Sequence, residues 1–133
     1  MKTILFLSVS IDGLIADKEG ITLFPDGAWE DWCSLVNEAD NVIAGRSSYE
    51  QLKNDDMALL LHPKHKIVLS SRDIELGDSS WRHAKSPAEA LEILKNEGVE
   101  EAIIGGGRAV AHSFMREHLV DYIVIDLQPV AFG

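Results

Sequence analysis

Short apolar runs with strand character alternate with amphipathic helical stretches along the whole of this chain, and no linker, repeat or low-complexity segment interrupts them. Alternation of this kind predicts a mainly parallel sheet with helices on both faces. The strand signals are Lys2–Ile11, Asn41–Ala44, Lys66–Leu69, Trp81–Ala84, Ala102–Ile104 and Tyr122–Leu127. Between them, helices are expected over Asp26–Ala39, Ser47–Leu52 and Arg108–Leu119, with a further one running from Ser86 to near Gly98. In the first of these, Trp29, Trp32, Cys33 and Val36 fall on one face. Ser86-Pro87-Ala88-Glu89 is a capping box with proline at the first helical position. A chain of 133 residues is expected to form a single domain, 1–133, with a substantial core.

Ligands in sheets of this type bind beyond the carboxyl ends of the strands, and the unusual residues gather there. Glu101-Ala-Ile-Ile-Gly-Gly-Gly-Arg-Ala-Val110 combines a buried strand, a three-glycine turn and a helix opening at Arg108. Glycines let the backbone approach a ligand closely, and the helix start offers unpaired N–H groups to a phosphate. A tight strand–helix turn would use the same glycines, so the run alone leaves both readings open. Two other strand ends share its character, Gly45-Arg46-Ser47-Ser48 and Ser70-Ser71-Arg72. Each pairs hydroxyls with a guanidinium, whose fork matches phosphate oxygens. A Rossmann fingerprint is excluded, because Val110 stands where a third glycine is needed and the turn comes late in the chain. No lysine follows the glycines, which excludes a Walker A loop.

Twelve Lys and Arg against twenty-two Asp and Glu give a formal charge of −10. That balance argues against nucleic acid or an anionic membrane as a partner, while leaving room for an anionic cofactor held by locally gathered arginines. The hydrophobic share of 46% and charged share of 26% are those of a globular protein. Thr3–Ile11 is too short for a membrane span and lacks a cleavage pattern, so a first strand and a cytoplasmic location are expected. Cys33, the sole cysteine, forbids an internal disulfide and is expected to be a small core side chain. The five histidines show no metal spacing, and no metal is expected.

Ile104-Gly-Gly-Gly-Arg108, Gly45-Arg46-Ser47-Ser48-Tyr49-Glu50 and Leu69-Ser70-Ser71-Arg72 resemble, in order and spacing, the cofactor motifs of dihydrofolate reductases. Ser10-Ile11-Asp12-Gly13-Leu14-Ile15-Ala16, with Leu119-Val120-Asp121 and Pro129-Val130, is more similar to a related group. These are the bacterial reductases akin to the C-terminal domain of the bifunctional riboflavin biosynthesis deaminase–reductase. The resemblance covers nearly the whole chain and implies a three-layer α/β fold with a mainly parallel central sheet. It also implies NADPH-dependent reduction of a small heterocycle, a pterin or a riboflavin-pathway pyrimidine intermediate.

By that resemblance Gly45, Arg46, Ser47 and Ser48 would face the cofactor phosphates, and Leu69, Ser70, Ser71 and Arg72 the adenine ribose with its 2′-phosphate. Gly105 and Gly106 would form the turn beside the pyrophosphate, with Gly107, Arg108, Ala109 and Val110 following at the helix start. Ile15 and Ala16 would lie near the nicotinamide and Lys85 near the adenine. Asp26, within Phe24-Pro25-Asp26-Gly27-Ala28-Trp29, corresponds to the carboxylate that assists protonation, although an aspartate here equally suits a helix cap. Glu30 and Asp31 are the fallback carboxylates. Phe24, Trp29 and Asp126 would contact substrate. Relatives commonly form homodimers and continue through further strands where this chain reaches Gly133, so C-terminal strands are expected to be absent and a partner copy to cover the exposed edge. A non-catalytic nucleotide-binding or interaction protein on the same scaffold is the alternative.

Overall fold

The computed structural model describes residues 1–14, 28–54, 60–77, 80–105 and 107–131. Its elements follow in the order β1 (Lys2–Ser10), α1 (Ala28–Ala39), β2 (Asn41–Gly45), α2 (Arg46–Asn54), β3 (His65–Leu69), β4 (Trp81–Ala84), α3 (Pro87–Asn96), β5 (Glu101–Ile104), α4 (Arg108–Arg116) and β6 (Tyr122–Gln128). The described strands form one six-stranded sheet in the order β4-β3-β2-β5-β1-β6. Every neighbouring pair is parallel.

The central strands are apolar at nearly every position because both of their faces are covered. Alternate residues divide between two cores. Ile43, Ile67, Leu69, Ala102 and Ile104 pack with Ala90 and Leu94 of α3 and with Val110 and Phe114 of α4. On the opposite face, Val42, Ala44, Val68 and Ile103 meet Cys33 and Val36 of α1 and Tyr49 and Leu52 of α2. The result is the expected three-layer arrangement. Burial pushes the Cys33 thiol up to about 11, with the Glu30 carboxylate adding to the effect, so this thiol is neutral and packs as an apolar group.

Local signals set the helix ends. Ser86 Oγ accepts the Glu89 N–H at 3.2 Å and Pro87 begins α3. The return half of the box is displaced, since the Glu89 carboxylate accepts from the Lys85 N–H at 3.0 Å. The last helix is shorter than its pattern predicts. It ends at Arg116, and the Leu119 N–H closes back on the Phe114 carbonyl after His118 takes a φ of 57°. That left-handed residue turns the chain so that Leu119 and Val120 pack on the core as the approach to β6.

Two joins position the middle of the sheet. Among the described residues β2 and β5 pair at Ile43 and Ile104. Below it the Asn41 side chain takes over, donating to the Glu101 carbonyl at 2.7 Å and accepting from the Ile103 N–H at 2.9 Å. Its amide also donates to the Ala39 carbonyl at 2.9 Å, and Asn41 is fully buried. At the other side of the sheet, the Thr3 N–H donates to Asp121 Oδ2 at 2.8 Å while the Asp121 N–H donates to the Thr3 carbonyl at 2.9 Å. This reciprocal pair sets the register in which Ile4 opposes Tyr122.

Among the described strands β6 lies at the edge of the sheet, and most of its residues are exposed. Ile123, Ile125 and Leu127 share the face of Leu5 and Leu7, and Tyr122 and Val124 share the other. All five are substantially exposed, Ile125 at 60% and Leu127 at 64%.

Candidate functional site at the carboxyl edge of the sheet

The glycine turn after β5 is fixed from two directions. The Gly105 N–H donates to the Ile43 carbonyl at 2.9 Å, tying the turn to the end of β2. A Cβ placed on Gly105 would stand 2.8 Å from Cζ2 of Trp32. The first requirement for glycine here is therefore an indole from α1. Trp32 is itself half-buried and stacks on Trp29, with ring centroids 5.0 Å apart. Gly107 is different. Its φ of 73° lies in the left-handed region, it is exposed, and among the described residues only Ser48 Oγ comes as near as 4.0 Å to a Cβ built there. Here it is the backbone conformation, rather than a crowding neighbour, that demands glycine.

Gly107 is also the N-cap of α4 and, having no side chain, gives that helix no side-chain cap of its own. The first N–H groups of α4 are ones a helix leaves without intrahelical partners, and that helix start lies beside Ser48 in the first turn of α2. Arg46 and Ser47 are exposed at the same helix start, as are Arg108 and Ala109 at the start of α4. The Gly45 and glycine-turn motifs, distant in sequence, are brought together.

The third motif closes the row. The Ser70 N–H donates to the Ala84 carbonyl at 3.0 Å, and Ser70 Oγ accepts from the Arg72 N–H at 3.3 Å, curling the chain after β3 over the end of β4. His83 Nε2 lies 2.8 Å from the Ser70 carbonyl and steadies that curl. Ser71 and Arg72 remain exposed. Lys85, just past β4, forms an ion pair with Asp73 at 2.8 Å. The carboxyl edge from β5 to β4 therefore carries Arg108, Arg46, Arg72 and Lys85 on a chain of formal charge −10. An uncapped helix start, a left-handed glycine and a row of cations suit a ligand bearing several phosphates.

Two predicted cofactor residues sit otherwise. The side chains of Leu69 and Val110 point into the core, which leaves only their backbone for a ligand. Trp29 packs against the α1–α2 core as well as on Trp32. Asp126 is half-buried in β6 and accepts a hydrogen bond from Gln128 Nε2. Glu30 and Asp31 lie in the first turn of α1 and are exposed. Ile15, Ala16, Phe24, Asp26 and Gly106 are outside the described residues. Sequence reasoning missed the contact of Trp32 with the glycine turn. The tryptophan spacing gave the core face of α1 but not which residue that face would meet.

The end of β1 is knitted by its own motif. Ser10 is fully buried, bonds Asp12 through its hydroxyl, and accepts the Leu14 N–H at 3.0 Å. The Ile11 N–H donates to the Val130 carbonyl at 2.8 Å. Two of the segments that resemble the riboflavin-pathway group, those containing Ile11 and Val130, are thus joined directly. Among the described residues no helix is long and apolar enough to cross a membrane.

Comparison with known proteins gives a consistent picture. The structure is similar to a putative riboflavin biosynthesis protein from Shewanella sp. PV-4, with a TM-score of 0.75 and 25% identity over 100% of this chain and 80% of that one. RibD of Acinetobacter baumannii superposes with a TM-score of 0.74 at 19% identity, covering 99% of this chain and 47% of that one. The Saccharomyces cerevisiae riboflavin biosynthesis reductase Rib7 gives 0.67 at 15% identity, over 99% and 74% respectively. At those last two identities the likeness concerns the fold, which is the dihydrofolate-reductase-like three-layer arrangement expected above. The uncharacterized protein YwjB of Bacillus subtilis (strain 168) is 28% identical over 137 residues, covering 99% of this chain and 79% of that protein. The family model described as the RibD C-terminal domain matches residues 1–133, and the chain belongs to that family.

Proposed function

We propose that this protein is an NADPH-dependent reductase that delivers hydride to a small heterocyclic acceptor, of the pterin or riboflavin-pathway pyrimidine class. The observation that carries the reading is the convergence of Gly107, the uncapped start of α4 and Ser48 at one end of a cation-bearing sheet edge. Family membership supports the reductase class.

The bound nicotinamide supplies the hydride, and the protein contributes binding, alignment and exclusion of water. In this proposal Arg46, Ser47, Ser48 and the N–H groups of α4 hold the pyrophosphate. Ser70, Ser71 and Arg72 hold the adenine ribose and its 2′-phosphate, with Lys85 beside them. Asp26 assists protonation of the acceptor.

Titration with NADPH and separately with NADH, read by nucleotide fluorescence, tests this directly. NADPH is expected to saturate the protein more tightly than NADH. Arg72→Ala is expected to weaken NADPH by about tenfold or more and NADH by much less, because a charge-assisted hydrogen bond contributes roughly 1.5–3 kcal/mol. Equal weakening of both would remove Arg72 from the 2′-phosphate. A folded protein that binds neither nucleotide would favour a non-catalytic role for the scaffold.

The proposal includes pairing of two copies through the open β6 edge. The exposed Tyr122, Ile123, Val124, Ile125 and Leu127 support it, since an apolar edge strand on this scale invites cover. Light scattering of the purified chain is expected to give a dimer mass, and a monomer at micromolar concentration would remove this part of the reading.

A further inference from the structure

Resting on the cofactor reading above, we propose that Asp73 is a specificity-determining residue of the adenosine end of the site, and that Lys85 masks it. The two chemistries by which proteins read an adenine ribose stand next to each other here. An acidic side chain accepts a hydrogen bond from a free 2′-hydroxyl, whereas a guanidinium accommodates a 2′-phosphate. Arg72 and Asp73 are consecutive on the curl after β3, and both are exposed. A bare carboxylate beside Arg72 would repel a 2′-phosphate and favour the hydroxyl of NADH.

The fold brings one cation onto that carboxylate. Leu69 and Ala84 are in register at the ends of β3 and β4, and the Ser70 N–H extends their pairing to the Ala84 carbonyl. The next residue, Lys85, therefore emerges beside Asp73 and holds it at 2.8 Å. The hydrogen bond from Lys85, followed by its charge, pulls the Asp73 carboxyl below its ordinary range, and His83 adds a smaller effect in the same direction. Reciprocally, Asp73 raises the Lys85 ammonium, with Glu89 contributing.

The pair has little structural work to do. The Asp73 side chain is 89% exposed and that of Lys85 56%, and exposed ion pairs add little to a fold. Its consequence is electrostatic and local. Lys85 neutralises Asp73, so that Arg72 meets the 2′-phosphate without a competing anion, and the pair sets how strongly the site distinguishes NADPH from NADH.

The test is titration of the full chain, its Asp73→Asn and Lys85→Met variants and the double variant with NADPH and with NADH. The fragments 2′,5′-ADP and 5′-AMP serve as probes of the adenosine end alone. Asp73→Asn is expected to tighten NADPH and 2′,5′-ADP by about threefold to fivefold, and NADH and 5′-AMP by less than about twofold, the scale of one exposed charge pair. Lys85→Met is expected to weaken NADPH by a similar factor without weakening NADH, and most of that loss should vanish in the double variant. An NADPH-to-NADH affinity ratio that Asp73→Asn leaves unchanged would overturn the assignment while the cofactor reading stands. Equal weakening of both nucleotides by Lys85→Met would do the same. Failure of the unmodified protein to bind either nucleotide would remove the cofactor reading and this assignment together.

Discussion

Asn41→Ala is expected to cost about 3–5 kcal/mol of folding stability and to lower the melting temperature by about 10 °C or more. The reason is the position of this amide between two strands that have stopped pairing. Its side chain ties the start of β2 to β5 through Glu101 and Ile103, and adds a third bond to Ala39. Truncation leaves the Ile103 N–H and the Glu101 carbonyl without these partners, opens a cavity, and admits no easy replacement because the site is fully buried. Asn41→Asp is expected to fail as well. A carboxylate accepts from Ile103 but donates to neither carbonyl, and its charge is costly to bury. Urea unfolding measures the loss, and amide exchange at Ile103 should accelerate in the alanine variant. A change below about 0.5 kcal/mol would mean that the two strands do not depend on this side chain.

Gly105→Ala is expected to destabilise the protein by about 1–3 kcal/mol, through overpacking rather than backbone strain. The new methyl would lie 2.8 Å from Trp32 Cζ2 and 3.0 Å from Nε1, well inside the contact distance of carbon atoms. The indole has little room to retreat, being stacked on Trp29 and packed over the α1–α2 core. Gly77 is the natural control, since no described residue lies within 4 Å of a Cβ built there. Its replacement by alanine is expected to be close to neutral. A double-mutant cycle with Trp32→Leu separates the two explanations of the Gly105 effect. If the clash is the cause, Gly105→Ala should cost much less in the Trp32→Leu background. An unchanged cost there would assign glycine's role to the backbone conformation instead. Because Gly105 opens the glycine turn, the same variant should also weaken NADPH under the proposed function.

Periodicity located the described strands to within a residue or two, because the pattern of apolar residues is itself the record of which faces are buried. Val42, Ile43 and Ala44 are apolar in succession because β2 is covered by α1 and α2 on one face and by α3 and α4 on the other. The capping residues of α3 were equally legible, since a Ser-Pro-x-Glu start acts over a single turn. The end of α4 was not. Leu119 continues the apolar pattern past Arg116, but it does so from a turn whose reversal depends on the left-handed conformation of His118. Periodicity records burial and carries no sign of such a reversal.

The chain's own sequence determined the strand–helix alternation, the parallel sheet and the three motifs that gather at its carboxyl edge. Those are properties of local pattern, and each is written in neighbouring residues. The tertiary structure alone decided that Ser48 stands over Gly107, that Trp32 is the reason for glycine at position 105, that Asn41 substitutes for a missing ladder, and that Lys85 rests on Asp73. Each of these is a contact between elements set by sheet order and strand register. Neither quantity is fixed until the strands have assembled, so neither is expressed in the spacing of residues along one segment.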